Sequence, residues 1–320
     1  MSSDSQLFIA DPIEDYDPSH DTTYDLMREA QQYDRKIYIA SSSSLFMTSG
    51  EMFVKARRVS IQDQDPPAHF QEIDQSELSL DVFECVWMRE DPPFDERYLY
   101  STYLLEHCPV PVFNDPRGIR NSNEKMTILE FPELIPETWV GADFESAWVF
   151  IQAKGGEAVL KTLTGYGGEE VHRLRGDREN QKRIFDDVSN GQTEIVMVQE
   201  FLPEVLDSGD RRIIVLGGDP VGGLTRIPSE GDFRANLHSG GSASDVYLTD
   251  DERMICERLK PTLLNRGLHL VGIDVVQGNL LEVNVTSPTC VQEITRGSDR
   301  NVGKEIIEYA LQQCGKSISS

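Results

Sequence analysis

VGIDVVQGNLLEVNVTSPTC, residues 271–290, is the stretch on which the reading of this chain turns. Apolar residues at 273, 275, 281, 283 and 285 alternate with polar or charged ones at 274, 282, 284 and 286. A period of two is that of a strand with one buried face. Gln277-Gly278-Asn279 supplies a turn, with the glycine free to take a left-handed conformation. With a three-residue loop, the register sets Asp274 directly opposite Glu282. Their Cβ atoms would then be roughly 5 Å apart, and like charges so placed destabilise a bare sheet. A cation is therefore expected between them. Two carboxylates beside Asn284 make a hard, all-oxygen donor set suited to magnesium, which takes one or two carboxylates plus substrate phosphates. The same residues would also serve a plain edge hairpin with a solvated polar face. The rest of the chain has to choose.

Upstream, Thr249 and Glu252 predict a capping box for a helix over 250–266, with Ile255, Leu259 and Leu263 on one face. Before it, GDRR (209–212) leads into a strand IIVL (213–216), and PVGGLTRI (220–227) continues the sheet. Arg212, Arg226 and Arg234 recur along this half, followed by Asn236 and the loop HSGGSAS (238–244). EIVMVQEFLPEV (194–205) is a buried strand running into a proline, so Gln199 to Leu202 offers free backbone groups at a domain edge. A strand AVLK (158–161) ends on Lys161 and runs into TLTGYGG (162–168). Glycines there let backbone amides approach phosphates, and the lysine adds a point charge. The loop is not a Walker A loop, because GxxxxGK[ST] is absent. Ser122 is expected to cap a helix over NEKMTILEF (123–131) with Lys125 in its first turn. A cation there opposes the helix dipole and points to an anionic ligand.

The N-terminal third reads as an α/β unit: an apolar run at 7–10, a polar loop, a helix over 22–32 and a strand KIYIA (36–40). Serines 41–44 lack a GxSxG context and read as a strand-end loop. Residues 60–80, acidic and proline-bearing, read as a surface connection. VFECVWM (82–88) is a buried strand, and the charged residues after it fall where open α/β sheets bind ligands. A helix over 96–107 and a strand over 110–114 complete a first domain of roughly 120 residues, a usual size. A last helix spans 302–314.

The 320 residues include 55 acidic and 30 basic ones, a formal net charge of -25. So acidic a surface argues against nucleic-acid and anionic-membrane partners. Five cysteines without CxxC spacing give neither a zinc site nor a disulfide framework. No apolar run reaches transmembrane length, and MSSDSQ lacks a basic leader region. A soluble cytoplasmic protein is expected.

The order of these pieces resembles the ATP-grasp superfamily. MREDPPFD (88–95), NEKM (123–126), GDRR (209–212), RIPSEGDFRANLHSGG (226–241) and EVNVTSPTC (282–290) resemble the motifs of bacterial glutathione synthetases, across residues 11–309. The resemblance implies an α/β (α+β) ATP-grasp fold. A Rossmann-like N-terminal domain (1–121) would precede two ATP-grasp subdomains, a lid (122–200) and a C-terminal one (201–320). It implies joining of γ-glutamylcysteine to glycine with ATP and magnesium or manganese, through an acyl phosphate. Lys125 and Lys161 would hold phosphates, Gly165, Gly167 and Gly168 would cover them, and Glu200, Phe201 and Leu202 would read adenine. Asp274, Glu282 and Asn284 would carry the metal, and Arg212 and Arg226 would be catalytic. Arg89, Arg234, Asn236, Gly240, Gly241, Ser287 and Thr289 would hold substrate. A homo-oligomer, dimer or tetramer, is implied as well. The chain departs from the family pattern at Ser19 or His20, where lysine is frequent, and at Ser242, where arginine is. Those positions leave open another ATP-grasp ligase acting on a different acidic peptide or amino acid.

Overall fold

The computed structural model describes residues 4–62, 69–165, 170–229, 233–234, 242–244 and 247–315. Three sheets follow one another along the chain. The first contains β1 (Ser5–Ile9), β2 (Lys36–Ala40), β3 (Leu45–Thr48), β4 (Glu51–Ile61), β5 (Phe70–Ser79), β6 (Cys85–Met88) and β7 (Val112–Phe113), in the order β3-β4-β2-β1-β6-β7 with β5 paired to β4. β1 runs parallel to β2 and β6, and β6 parallel to β7, as the α/β reading requires. α1 (Thr22–Gln32) is capped by Asp21, and α2 (Glu96–Leu105) by Asp95. α3 (Pro116–Arg120) ends this part.

The second sheet contains β8 (Thr138–Gly141), β9 (Ala158–Thr162), β10 (Val171–Leu174) and β11 (Val196–Glu200), in the order β10-β9-β11-β8, with α4 (Phe144–Ala153) and α5 (Arg178–Val188) against it. After a single turn, α6 (Val205–Ser208), the third sheet contains β12 (Asp210–Leu216), β13 (Asp219–Ile227), β14 (Ser242–Ser244), β15 (Leu270–Val276) and β16 (Asn279–Asn284), in the order β14-β13-β12-β15-β16. α7 (Asp250–Asn265) carries the expected capping box of Thr249 and Glu252. α8 (Val291–Gly297) and α9 (Val302–Gln313) follow the hairpin, and α8 was not foreseen from the sequence.

The first and third sheets share two apolar cores. One joins Leu7, Val86 and Tyr98 to Ile255, Leu259, Ile273 and Val283; the other joins Phe8, Ile37 and Trp87 to Ile214, Ile294, Ile306 and Ile307. The second sheet has a smaller core of its own around Phe144, Ile151, Leu160 and Phe185. A cleft between the second and third sheets follows from that division.

Three expectations are corrected. Residues 60–80 are not a plain connection, because β5 pairs along β4 from Phe70 to Ser79. Most β5 side chains are exposed, so no buried face left an alternation to read. The NEKMTILEF segment is not an α-helix: it holds only a 3-10 turn, Thr127–Glu130. Asn123, not Ser122, accepts the free N–H groups of Lys125 and Met126, at 3.0 Å each. The hairpin loop has two residues, Gln277 and Gly278, both with positive φ as a type I′ turn needs. An irregularity between Asp274 and Val275 restores the Asp274–Glu282 pairing. It also moves Leu280, not Leu281, into the core.

Candidate active site

The hairpin builds one wall of the cleft. Arg212 on β12 pairs in register with Asp274 on β15, and Asp274 with Glu282 on β16, so the three side chains form a row across one face. Two residues earlier on the same face of β12, Asp210 pairs with Arg226 on β13. Cross-strand neighbours of opposite charge stabilise a sheet, as Arg212–Asp274 and Arg226–Asp210 do here. Arg212 donates to Asp274 through Nε at 2.6 Å and Nη2 at 3.1 Å, and Arg226 donates to Asp210 through Nε at 2.7 Å and Nη2 at 2.6 Å. Arg226 also reaches Asp274 at 3.1 Å. The preceding arginine of the GDRR motif, Arg211, faces away from this row and binds Glu252 of α7 at 2.7 Å.

Electrostatics follow from this packing. Burial alone would raise the Asp274 carboxyl, but the Arg212 and Arg226 guanidiniums outweigh it and hold the group far below the usual carboxylate range. Burial pushes Asp210 up despite Arg226. Beside Glu282 the chain places a cation of its own: Lys125 Nζ lies 3.2 Å from Glu282 Oε1 and also donates to Gly165 O.

The second sheet forms the opposite wall. Lys161, at the end of β9, donates to Gln199 Oε1 on β11 at 2.6 Å, and burial pulls its ammonium down to about 8. Glu200, Phe201 and Leu202 continue from β11 along the cleft, and Arg173 stacks 3.9 Å from the Phe201 ring centre. Phe233 meets Phe201 edge-on at 6.3 Å. The space between the walls, about 880 Å³, opens to solvent.

Lys125, Lys161, Gly165, Glu200, Phe201, Leu202, Arg234, Asp274 and Glu282 thus line one cleft. Arg212 and Arg226 lie directly behind its wall, bound to Asp274 and Asp210. Asn284 donates its amide to Gly272 O at 3.3 Å, which leaves the amide oxygen outside that bond. Arg89, Ser287 and Thr289 form a separate group at the carboxyl end of β6. Arg89 is buried, donates to Thr23 at 3.1 Å and Pro288 O at 3.0 Å, and its Nη1 has no hydrogen-bond partner among the described residues. Ser287 donates to Arg89 O at 3.3 Å, and Thr289 Oγ1 lies 3.8 Å from Cys290 Sγ. Gly167, Gly168, Asn236, Gly240 and Gly241 lie outside the described residues.

The sequence reading gave no role to the side chains of Asp210, Gln199 and Glu124. Asp210 was legible as the residue two before Arg212 on one strand face. Glu124 lies beside Lys125; burial, then Glu282, pushes its carboxyl up. Nothing in the local pattern marked the Gln199 side chain as the partner of Lys161.

The metal and nucleotide fit this donor set. A carboxylate offers about four lone-pair sites; the three contacts from Arg212 and Arg226 to Asp274 leave it room for one more partner. Glu282 has its second oxygen beyond the Lys125 contact.

Lys161 of the second sheet and Lys125 of the linking segment share one cleft with the carboxylates of the third sheet, as an ATP-grasp ligase requires, and solved enzymes of that class share the fold. D-cycloserine synthetase DcsG superposes with a TM-score of 0.69 at 15% identity, covering 97% of this chain and 99% of that one. The ATP-grasp ligase PsnB complexed with minimal precursor gives 0.62 at 15% identity, over 98% and 100%. The chain belongs to the prokaryotic glutathione synthetase family, whose N-terminal domain matches residues 5–120 and whose ATP-grasp domain matches residues 124–299. Glutathione synthetase of Thermosynechococcus vestitus is 40% identical over 314 residues, covering 94% of this chain and 98% of that protein. The enzyme of Bradyrhizobium diazoefficiens is 36% identical over 308 residues, covering 96% and 97%. Membership makes the chain a ligase forming a carbon–nitrogen bond with ATP. Among the described residues no helix is long and apolar enough to cross a membrane.

Proposed function

We propose that the protein condenses γ-glutamylcysteine with glycine to glutathione, using ATP in the cleft between the second and third sheets. The carrying observation is the single cleft that gathers Lys125 and Lys161 for phosphate with Asp274 and Glu282 for its counter-cation. A carboxylate resists attack by an amine until an oxygen is converted to a leaving group. Its oxygen attacks the γ-phosphorus of ATP, the bond to ADP breaks, and an acyl phosphate forms. The neutral amine of glycine then attacks the acyl carbon, phosphate departs, and the amine proton is lost to water. Phosphoryl transfer is catalysed chiefly by positioning and positive charge, so the cysteines need no part in it.

In this reading Lys125 and Lys161 hold phosphate oxygens, and the amides from Gly165 through Gly168 cover them. The backbone of Glu200 and Leu202, with the Phe201 ring, receives adenine. Asp274, Glu282 and Asn284 would hold magnesium or manganese, which would offset the negative charge of the phosphates. Arg212 and Arg226, anchored on Asp274 and Asp210, offset charge developing beside that row. Arg89, with its unpartnered buried Nη1, suits a carboxylate of the peptide, with Ser287 and Thr289 close by. Arg234 lines the nucleotide cleft, so its contact with peptide would come from the triphosphate side. Asn236, Gly240 and Gly241 complete the substrate set. In this reading the chain divides into units 1–121, 122–200 and 201–320, and the enzyme works in the cytoplasm as a dimer or tetramer.

A ligase assay tests this directly. Phosphate release from ATP is expected only when γ-glutamylcysteine and glycine are both present, with glutathione formed in equal amount. No turnover with that pair, and turnover with another acidic peptide, would replace the substrate assignment.

A further inference from the structure

β16 is the outer strand of its sheet, yet its far edge is not open. Leu280 N donates to Leu134 O at 2.7 Å and Val283 N to Glu124 O at 2.9 Å. Beyond Asn284 the ladder ends, and side chains take over. Glu124 Oε1 accepts from Val285 N at 3.2 Å, from Thr286 N at 3.5 Å and from Thr286 Oγ1 at 2.8 Å. From the other side, Asn114 Nδ2 donates to Val285 O at 2.9 Å and to Leu270 O at 2.7 Å, while its Oδ1 accepts from Leu270 N at 2.8 Å. Both backbone groups of Val285 are therefore held by side chains from two other segments. Val285 is fully buried and sits between Asn284 and Ser287. Asn114 follows β7 of the first sheet, and Glu124 adjoins Lys125.

We propose that Asn114 and Glu124 are positioning residues that clasp Val285 and so fix Asn284 and Ser287 relative to Lys125. The clasp joins the first sheet, the phosphate lysine and the metal strand at one residue. An extended segment with unpartnered backbone groups would be free to shift, and a misplacement of about 1 Å at a reacting centre can cost on the order of 100-fold in rate. Hydrogen-bonded partners of metal ligands behave similarly, with losses of about 10–100-fold in affinity or activity. The role asks Glu124 for an acceptor of fixed geometry, which a glutamine also provides. The inference rests on the proposed site for the meaning of Asn284 and Ser287.

The test compares Glu124→Ala, Glu124→Gln, Asn114→Ala and the milder Thr286→Val with the unmodified enzyme. ADP binding is measured by calorimetry with magnesium and in EDTA, alongside the kinetics of glutathione formation. Glu124→Ala and Asn114→Ala should keep ADP binding in EDTA, lose about tenfold or more of the gain that magnesium brings, and lose kcat by about 10–100-fold. Glu124→Gln should retain most of both, and Thr286→Val should show a smaller loss in the same direction. A magnesium gain unchanged in Glu124→Ala would overturn the clasp. So would Glu124→Gln failing as badly as Glu124→Ala, since charge would then be what matters. If Glu124→Ala does not fold, an unchanged magnesium gain in Thr286→Val overturns it instead. Failure of the unmodified enzyme to make glutathione would count against the substrate assignment alone, and the calorimetry would still decide the clasp.

Discussion

Lys125 Nζ lies 3.2 Å from Glu282 Oε1, although the two residues come from a linking segment and from the outermost strand of the third sheet. Both line the cleft, and Glu282 stands directly opposite Asp274 in the hairpin. Lys125 offsets Glu282 while Arg212 and Arg226 offset Asp274, so the two carboxylates can face each other before any metal arrives. Truncating one partner of a buried charge pair costs about 2–5 kcal/mol. Lys125→Met should weaken ADP binding by an amount in that range, read by calorimetry in EDTA so that magnesium does not mask it. Unchanged affinity would remove Lys125 from the phosphate site.

Asp274 is held more firmly. It takes three contacts from Arg212 and Arg226, and both arginines are buried. Asp274→Asn would leave two guanidiniums facing a neutral amide, and breaking a buried pair from one side destabilises by roughly 3–5 kcal/mol. The variant should melt earlier and form no glutathione. Glu282→Ala should also stop turnover, with a smaller loss of stability because Glu282 is less buried. Full activity in both variants would refute the metal assignment.

The row of charges explains what could be read from the sequence. Alternation in 271–290 pointed to the strands and the facing pair because Asp274 and Glu282 do stand opposite each other on neighbouring strands. The capping box at Thr249 was legible because its two partners are local. The residues missed were those whose partners are distant. Gln199 matters through Lys161, 38 positions away, and Glu124 through Thr286, 162 positions away. The two-residue turn was misread for a related reason: the irregularity after Asp274 preserves the pairing while exchanging Leu280 for Leu281, and sequence alternation cannot show it. β5 escaped because its stability lies in backbone bonds to β4, not in a buried face.

Lys161 gives a pH dependence with a definite sign. Its ammonium is pulled from the ordinary 10.5 to about 8, by burial first. The group is charged below about 8, so ADP affinity should decline as pH rises through that value. In Lys161→Met, where no charge remains to lose, that decline should be absent. For folding the sign is opposite. The folded protein binds this proton less well than the unfolded chain, so the group destabilises fully below about 8, and the penalty fades between 8 and 10.5. At neutral pH it is on the order of 3 kcal/mol, and bound phosphates should relieve it. A thermal melt with and without ADP at pH 7 and pH 9 would show the larger ligand-induced rise at pH 7. Equal rises would contradict the assignment.

Gly209 tests how tightly the charged row is seated. Its φ of 70° and ψ of -163° lie in a region essentially reserved for glycine. A Cβ at that position would meet the Arg226 carbonyl oxygen at 2.0 Å, so alanine must push β12 and β13 apart where Asp210 grips Arg226. Gly155 is a control: its φ is 84°, but a Cβ there meets nothing within 4 Å. Gly155→Ala should cost only the local backbone strain, about 1–2 kcal/mol. Gly209→Ala should cost more, and it alone should raise the KM for ATP, because Asp210 and the Arg226 that braces Asp274 move with the strand. Chemical denaturation and steady-state kinetics on the two variants would separate strain from displacement. Equal stability losses with an unchanged KM would mean that the row tolerates movement at its base.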